Sequence, residues 1–293
     1  MKAVARLLPV LLAFYESQCA AQPSTVPRLA GIVSLPDLKL ALFAGAAQLR
    51  QPSWLQVREG QENEGVEVLK IHPESNEVEL KLKGMDTPLT LTLTRQTNSQ
   101  APTGPGINLE DVGLRVVLDI YGELCGRSLL RSPLLPATNF SVGIPATNRA
   151  DAAKALERIF AEKEITTIPD GSKFVMVVPT SQASEVNPHA PQVPSSSPAS
   201  VTKSATPEII SPGSLVDFRG ADIRQVLDVY AVLIGAQLDP TGLPYGRAIS
   251  FFTQTPLTKE ETIYAFDTLF SWAGFKVVPA ANGFVKAVPL SEK

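Results

Sequence analysis

Residues 216–235 read VDFRGADIRQVLDVYAVLIG, and residues 107–126 read INLEDVGLRVVLDIYGELCG. At an offset of 109 residues the two stretches align, with identical pairs that include Arg115 and Arg224, Leu118 and Leu227, Asp119 and Asp228, and Tyr121 and Tyr230. Further along the chain the offset becomes 110, so that Phe160 aligns with Phe270 and Val178-Pro179 with Val288-Pro289. A register of this length with a single one-residue slip indicates two repeats of one module.

Each repeat begins with a short predicted strand and continues as an amphipathic helix. In the second repeat the apolar residues of one helical face are Ile223, Val226, Leu227, Tyr230, Ala231 and Ile234. The same face in the first repeat consists of Leu114, Val117, Leu118, Tyr121, Gly122 and Cys125. Gly126 and Gly235 follow these helices. The residue at this position often adopts a left-handed backbone conformation, which costs less free energy for glycine than for other residues.

Two strands, a second helix and a closing hairpin complete each repeat. The strands are predicted around Ser128–Arg131 and Phe140–Gly143, and around Ala236–Asp239 and Ala248–Phe252. The second helix begins near Asn148 or Thr258, and Thr258 with Glu261 fits a capping box. The order predicts an α+β fold of two β-α-β-β-α-β-β modules, each with its helices packed on one face of a small sheet.

With this order in place, each repeat resembles the N-domain of secretins, the ring-forming outer-membrane channels of type II secretion and type IV pilus systems. The resemblance rests on VDFRGADIRQVL at 216–227, PLTKEE at 256–261 and the closing strands within 274–289. The first repeat follows the family pattern less closely, since Val112-Gly113 replaces the Ala-Asp pair. We expect no counterpart of the family's channel domain here.

Residues 28–94 predict a small all-β module. Its final strands alternate apolar and polar residues, with Val78, Leu80, Leu82, Leu89, Leu91 and Leu93 on the apolar side. The alternation slips between Val68 and Leu69, which predicts a bulge. We expect a small sheet or a partly open barrel.

This module resembles the periplasmic homology region of inner-membrane secretion and pilus proteins, on the residues LAGIV at 29–33 and VREGQ at 57–61. In that family the domain docks on the N-terminal region of a secretin. The resemblance therefore implies partner contacts at Ile32 and Val33. An unrelated β-sandwich is the alternative, because small β modules share such patterns.

The first residues predict export. Lys2 and Arg6 precede an apolar run, and small residues precede Gln22. This is the layout of a cleaved signal peptide. An uncleaved anchor is the alternative, and Glu16 and Gln18 disfavour lipid modification of Cys19 without excluding it. We therefore expect a periplasmic protein, with any association with the outer membrane made through partners.

Composition divides the chain into six segments and excludes some partners. We predict a signal peptide at 1–21, the β module at 28–94, a linker at 95–105, the first repeat at 106–179, a Pro/Ser-rich disordered linker at 180–212 and the second repeat at 213–289. We expect the second linker to isolate the repeats, so that they unfold independently.

The net charge excludes one class of partner. Signal cleavage changes the formal net charge from −3 to −4, and a mildly acidic protein is not expected to bind nucleic acid. No membrane span is expected after cleavage.

Candidate chemistry is sparse, and we expect no catalytic, metal or cofactor site. His72 lies in a predicted turn and His189 in the predicted linker, so neither is fixed beside other ligands. Cys125 aligns with Ile234 on the buried helix face, which indicates a small hydrophobic residue. The carboxylate pairs Glu110-Asp111 and Glu260-Glu261 stand at helix starts, which the helix dipole favours.

The repeated Arg115–Asp119 and Arg224–Asp228 pairs leave two interpretations open. Residues four apart on a helix can form an intrahelical ion pair, which stabilises the helix by roughly a few tenths of a kcal/mol. The same residues can instead contact a partner subunit.

The sequence favours an exported, non-enzymatic scaffold or adaptor that docks with secretin or inner-membrane components of a secretion or pilus machine. Self-association is left open. The alternative is a periplasmic receptor for a peptide or a glycan, which a polar-lined pocket between the modules would favour.

Overall fold

The computed structural model describes residues 26–45, 54–94, 104–186, 188, 216–239, 241 and 248–290. The N-terminal part contains the strands β1 (Arg28–Leu35), β2 (Leu38–Ala44), β3 (Leu55–Arg58), β4 (Glu62–Asn63), β5 (Val66–His72), β6 (Glu77–Leu82) and β7 (Leu89–Thr92). The first repeat contains β8 (Gly106–Gly113), α1 (Leu114–Cys125), β9 (Ser128–Arg131), β10 (Asn139–Pro145), α2 (Arg149–Glu162), β11 (Ile165–Asp170) and β12 (Phe174–Pro179). The second repeat contains β13 (Asp217–Asp222), α3 (Ile223–Leu233), β14 (Gln237–Leu238), β15 (Ala248–Phe252), α4 (Lys259–Trp272), β16 (Phe275–Pro279) and β17 (Phe284–Pro289).

The two repeats have the same topology, and the predicted α+β class is confirmed. In each, the first and third strands pair antiparallel, as β8 with β10 and β13 with β15. The last strand then lies between two neighbours, parallel to β9 or β14 and antiparallel to β11 or β16. The strands of each repeat are thus divided between two small sheets.

A bulge with the same hydrogen bond occurs in both repeats. Asp111 in β8 and Gly220 in β13 adopt positive φ angles of 55° and 73°. Their N–H groups donate to Ser141 Oγ at 2.9 Å and Ser250 Oγ at 3.0 Å, respectively. The shared bulge supports the alignment of the two repeats at a position where their residues differ. The left-handed backbone there is less strained at glycine than at aspartate.

The predicted helix ends are confirmed. Gly126 terminates α1 with a left-handed φ of 62°. Thr258 and Glu261 form the capping box of α4, in which Thr258 N donates to the Glu261 carboxylate at 2.8 Å and Glu261 N to Thr258 Oγ1 at 3.2 Å. Asn148 caps α2 by accepting from Asp151 N at 2.9 Å. These helix ends could be predicted from the sequence because each cap depends only on residues within one helical turn.

The N-terminal strands continue the sheet of the first repeat. A five-stranded sheet has the order β10-β8-β1-β2-β3, so β1 lies between β8 and β2. Strands β4 to β7 form a second sheet, and the bulge predicted near Val68 and Leu69 is present between Val68 and Lys70. The small β module therefore shares one of its sheets with the first repeat.

Both faces of the five-stranded sheet are covered. On one face, the second sheet encloses a cluster that includes Ile32, Phe43, Val68 and Leu80. On the other face, α1 and α2 pack over a cluster that includes Val33, Leu40, Leu42, Ile107 and Leu109. A strand covered on both faces has few positions for polar residues, which explains the nearly continuous apolar run of β1.

Some predicted segments fall outside the described residues, namely the signal peptide at 1–21, residues 95–103 of the first linker and most of the second linker. Residues 180–186 of the second linker are described, and Thr180–Gln182 form a short 3-10 turn. In the described part of the chain, no helix has the length and apolar character needed to cross a membrane.

Candidate docking surfaces

The second repeat packs against the outer face of the three-stranded sheet of the first repeat. Leu130 of β9 with Phe174 and Met176 of β12 lie in the same buried cluster as residues of α4. The Phe174 ring lies 5.9 Å from that of Tyr264 on α4, centroid to centroid. This sheet therefore has its own helices on one face and the second repeat on the other.

Polar contacts also join the two repeats across this interface. Tyr264 Oη donates to Asp170 Oδ2 at 2.5 Å, and Lys173 Nζ donates to Glu261 Oε2 at 2.7 Å. Asp170 and Glu261 are both buried, so their carboxylates depend on these partners. The expectation that the linker isolates the repeats is therefore wrong, because the two modules share a buried core and buried polar contacts.

Ile32 and Val33, the predicted partner-binding residues of the N-terminal module, are fully buried. Ile32 packs between the two sheets, and Val33 packs beneath the helices of the first repeat. Their strand β1 is also paired along both edges. A partner could reach these side chains only if the five-stranded sheet opened.

Arg115 and Asp119 do not form the helix pair considered above, within the described chain. Asp119 Oδ1 accepts from Arg131 Nη2 of β9 at 2.6 Å, and Arg131 Nη1 donates to the Arg115 carbonyl at 3.3 Å. The Arg115 guanidinium instead lies over Gly220 of the second repeat, since a Cβ built on Gly220 would be 3.4 Å from Nη1. Arg115 is thus placed at the boundary between the repeats.

Arg224 and Asp228 lie on the exposed face of α3, as the sequence pattern predicts. Val229 and Val232 share that face and are 44% and 78% exposed. Sequence reasoning missed these two valines because they fall outside the apolar stripe of the helix. The exposed face of α3 therefore carries two apolar side chains, one turn apart, beside Arg224 and Asp228.

A pocket of about 410 Å³ lies at the junction of the repeats. Its walls are mainly apolar and include Leu114, Leu118, Leu135, Ile249, Leu269 and Ala273. Polar groups come from Arg115, Arg131, Ser132, Thr138, Asn139 and Ser250. Most of the lining is nevertheless apolar, so an apolar group fits this pocket better than a sugar.

The equivalent tyrosines of the first helices have structural roles. Tyr121 Oη donates to Glu157 Oε1 at 2.7 Å, and Tyr230 Oη donates to Asp267 Oδ1 at 2.8 Å. Burial and the carboxylate partner raise the pKa of each phenol. Each tyrosine therefore joins the two helices of its repeat through a hydrogen bond that both repeats share.

Metal-binding clusters of three or more His, Cys, Asp or Glu residues are absent from the described chain. His72 ends β5, and His189 lies outside the described residues.

Cys125 is half-buried, and its thiol donates to the Tyr121 carbonyl at 3.0 Å. Burial raises the pKa of the Cys125 thiol, which lowers its reactive thiolate fraction at neutral pH. In a Cys19→Ser chain, we expect a maleimide to label the native protein at least about tenfold more slowly than the urea-unfolded protein at pH 7. Equal rates would contradict the placement of Cys125 against the first-repeat core.

Comparison with known proteins adds no relative: neither the scan against protein-family models nor the search of curated proteins finds a match for this chain.

Proposed function

We propose that this chain is an exported, non-enzymatic scaffold or adaptor of a secretin-type secretion or pilus system. It acts in the periplasm by docking with a secretin-type channel or with inner-membrane components. The sequence support is the resemblance of residues 216–227 and 256–261 to the secretin N-domain pattern.

One observation carries the proposal: the same module makes two different contacts within this chain. The first repeat accepts a strand of the N-terminal module at the edge of β8, and it accepts the second repeat on the outer face of β9 and β12. A module that binds through a sheet edge and a sheet face is suited to assembly with further modules.

The pocket between the repeats supports a second candidate, a periplasmic binding module. Its volume of about 410 Å³ and its largely apolar walls favour an apolar peptide segment over a glycan.

Native mass spectrometry of the chain purified from the envelope of its own cells separates the two candidates. The scaffold predicts large complexes that contain secretin or inner-membrane secretion proteins. A monomer that keeps a small ligand and is stabilised by it against heat would support the receptor and contradict the scaffold.

A matched pair of variants tests whether α3 contributes to this assembly. Arg224→Ala is expected to reduce the captured complex about tenfold, because an arginine at a contact often contributes more than 1 kcal/mol, roughly. Arg158→Ala, which removes an exposed arginine from α2, should leave capture unchanged. Equal capture by both variants would show that Arg224 does not contact a partner, and would favour the intrahelical ion pair.

A further inference from the structure

The pocket at the junction of the repeats has one wall from each repeat. The first repeat contributes the start of α1 and the loop 132–138 between β9 and β10, and the second contributes the start of β15 and the end of α4. Within the loop, Leu135 N donates to the Ser132 carbonyl at 3.3 Å. Leu114 N donates to the Thr138 carbonyl at 2.8 Å, and the two prolines of the loop restrict its backbone further. The wall from the first repeat is therefore preformed.

The interior of the pocket is apolar and joins two hydrophobic cores. Leu114 and Leu118 belong to the core of the first repeat, and Ile249 and Leu269 belong to that of the second. All four side chains are buried. An apolar group in this pocket contacts both cores at once, so its binding should stabilise the contact between the repeats.

Several polar side chains of the wall are already engaged within the chain. Arg131 donates to Asp119 Oδ1 at 2.6 Å and to the Arg115 carbonyl at 3.3 Å. Ser132 Oγ accepts from Leu134 N at 3.2 Å. Because these groups are satisfied by the fold itself, other polar groups must orient a ligand.

The Arg115 side chain is not engaged in this way. It is exposed, and within the described residues its guanidinium has no hydrogen-bond acceptor and no carboxylate partner. The guanidinium lies over Gly220, whose N–H donates to Ser250 Oγ at 3.0 Å. Since Ser250 Oγ accepts that bond, its own O–H can still donate. One charged donor and one neutral donor therefore lie beside Gly220, and both line the pocket.

The charge of the lining is positive. Its described residues include two arginines and no aspartate or glutamate, although the chain has a formal net charge of −3. Asp119 neutralises Arg131, which leaves the charge of Arg115. A guanidinium beside an apolar pocket is complementary to an apolar group that carries a carboxylate, because a carboxylate can accept two parallel N–H bonds from it.

From these contacts we infer that the pocket binds the C-terminal end of an apolar peptide. The terminal carboxylate accepts hydrogen bonds from the Arg115 guanidinium and the Ser250 hydroxyl, and the last apolar side chains pack against Leu118 and Ile249. This inference rests on the binding-module candidate proposed above. It narrows the ligand from an apolar peptide segment to a peptide whose C-terminus lies in the pocket.

Two related ligands are less complementary to this lining. An internal apolar segment offers Arg115 no charged partner. A fatty acid offers the carboxylate but no further hydrogen-bonding groups. Thr138 and Asn139 place a hydroxyl and an amide oxygen along the wall, and peptide N–H and C=O groups can bond to them. The lining therefore favours a peptide.

Two pools of peptides test the role of the carboxylate on the full-length chain. The pentapeptides vary among Ala, Val, Leu and Phe at their last three positions, and they are made once as free acids and once as C-terminal amides. Affinity selection on the immobilised chain, read by mass spectrometry, should retain the free acids at least about tenfold more than the amides. The reason is that the charge-assisted hydrogen bonds to Arg115 need the carboxylate.

Three variants place the binding at this pocket. Arg115→Gln should weaken the free acid that is retained most strongly, measured by fluorescence anisotropy, at least about tenfold and leave the matching amide unchanged. Ala137→Trp puts a large side chain at an exposed position of the lining and should weaken both. Arg158→Gln neutralises an exposed arginine of α2 and is the matched control, which should change neither.

Equal retention of acids and amides, with both weakened by Ala137→Trp, overturns the carboxylate site while the binding-module candidate stands. Binding of free acids that Arg115→Gln leaves unchanged overturns the carboxylate site as well. Retention of neither pool overturns the inference and the binding-module candidate together. Displacement of the free acid by dodecanoate, with tighter binding of dodecanoate, overturns the choice of a peptide in favour of a fatty acid.

Discussion

Replacing Phe266 by alanine is expected to destabilise the second repeat strongly and the first repeat with it. Phe266 is fully buried on α4, and its ring centroid lies 5.9 Å from those of Phe218 and Phe251 and 6.1 Å from that of Phe270. Truncating a buried phenylalanine costs about 3–5 kcal/mol, from lost transfer free energy and the cavity left behind. A small domain has about 5–15 kcal/mol in total.

The effect reaches the first repeat because α4 covers its sheet. Loss of α4 exposes Leu130, Phe174 and Met176 to water. Urea unfolding followed by far-UV circular dichroism measures the loss, with Val232→Ala, a truncation at an exposed position of the same repeat, as the control. If Phe266→Ala costs no more than Val232→Ala, then α4 does not hold the core of the second repeat.

Much of the fold was readable from local patterns. The apolar stripes of the first helices identified Leu118 and Leu227, which are both buried. Helix ends were readable because caps depend on neighbouring residues, as at Gly126 and Thr258. The repeat supplied independent support, since each pattern had to occur twice at one offset.

The pairing of β1 with β8 could not be predicted from these patterns. A period of two tells which face a residue takes but not which strand lies at the edge, and residues 33 and 107 are far apart in sequence. One signal was nevertheless present. Strand β1 is apolar at almost every position, which indicates a sheet covered on both faces and therefore a module that cannot stand alone.

The docking surfaces were missed for a similar reason. Helical periodicity sorts residues into buried and exposed, so it did not single out Val229, which lies outside the apolar stripe of α3. A position-by-position comparison of the repeats would have found the difference: residues 174–178 read FVMVV, apolar on both faces, whereas residues 284–288 read FVKAV. The charged residue at 286 marks the face that nothing covers in the described chain.

The second large effect is expected at Phe174, which is buried between the repeats. Phe174→Ala should cost about 3–5 kcal/mol and should uncouple the two modules, because its ring packs against α4 rather than against its own helices. Phe284→Ala is the same change at the equivalent position of the second repeat, where the ring is 36% exposed. It should cost less than about 1 kcal/mol.

The most direct test of the account follows urea unfolding at two tryptophans. Trp54 packs against the core of the first repeat and Trp272 against that of the second, so Trp272→Phe and Trp54→Phe chains each report one module. In the otherwise native chain, and with Phe284→Ala, the two transitions should coincide, as they do for a single cooperative unit. With Phe174→Ala they should separate, and Trp272 should report unfolding at the lower urea concentration. Separate transitions in the native chain, or coincident ones after Phe174→Ala, would contradict the docking of the two repeats through this sheet face.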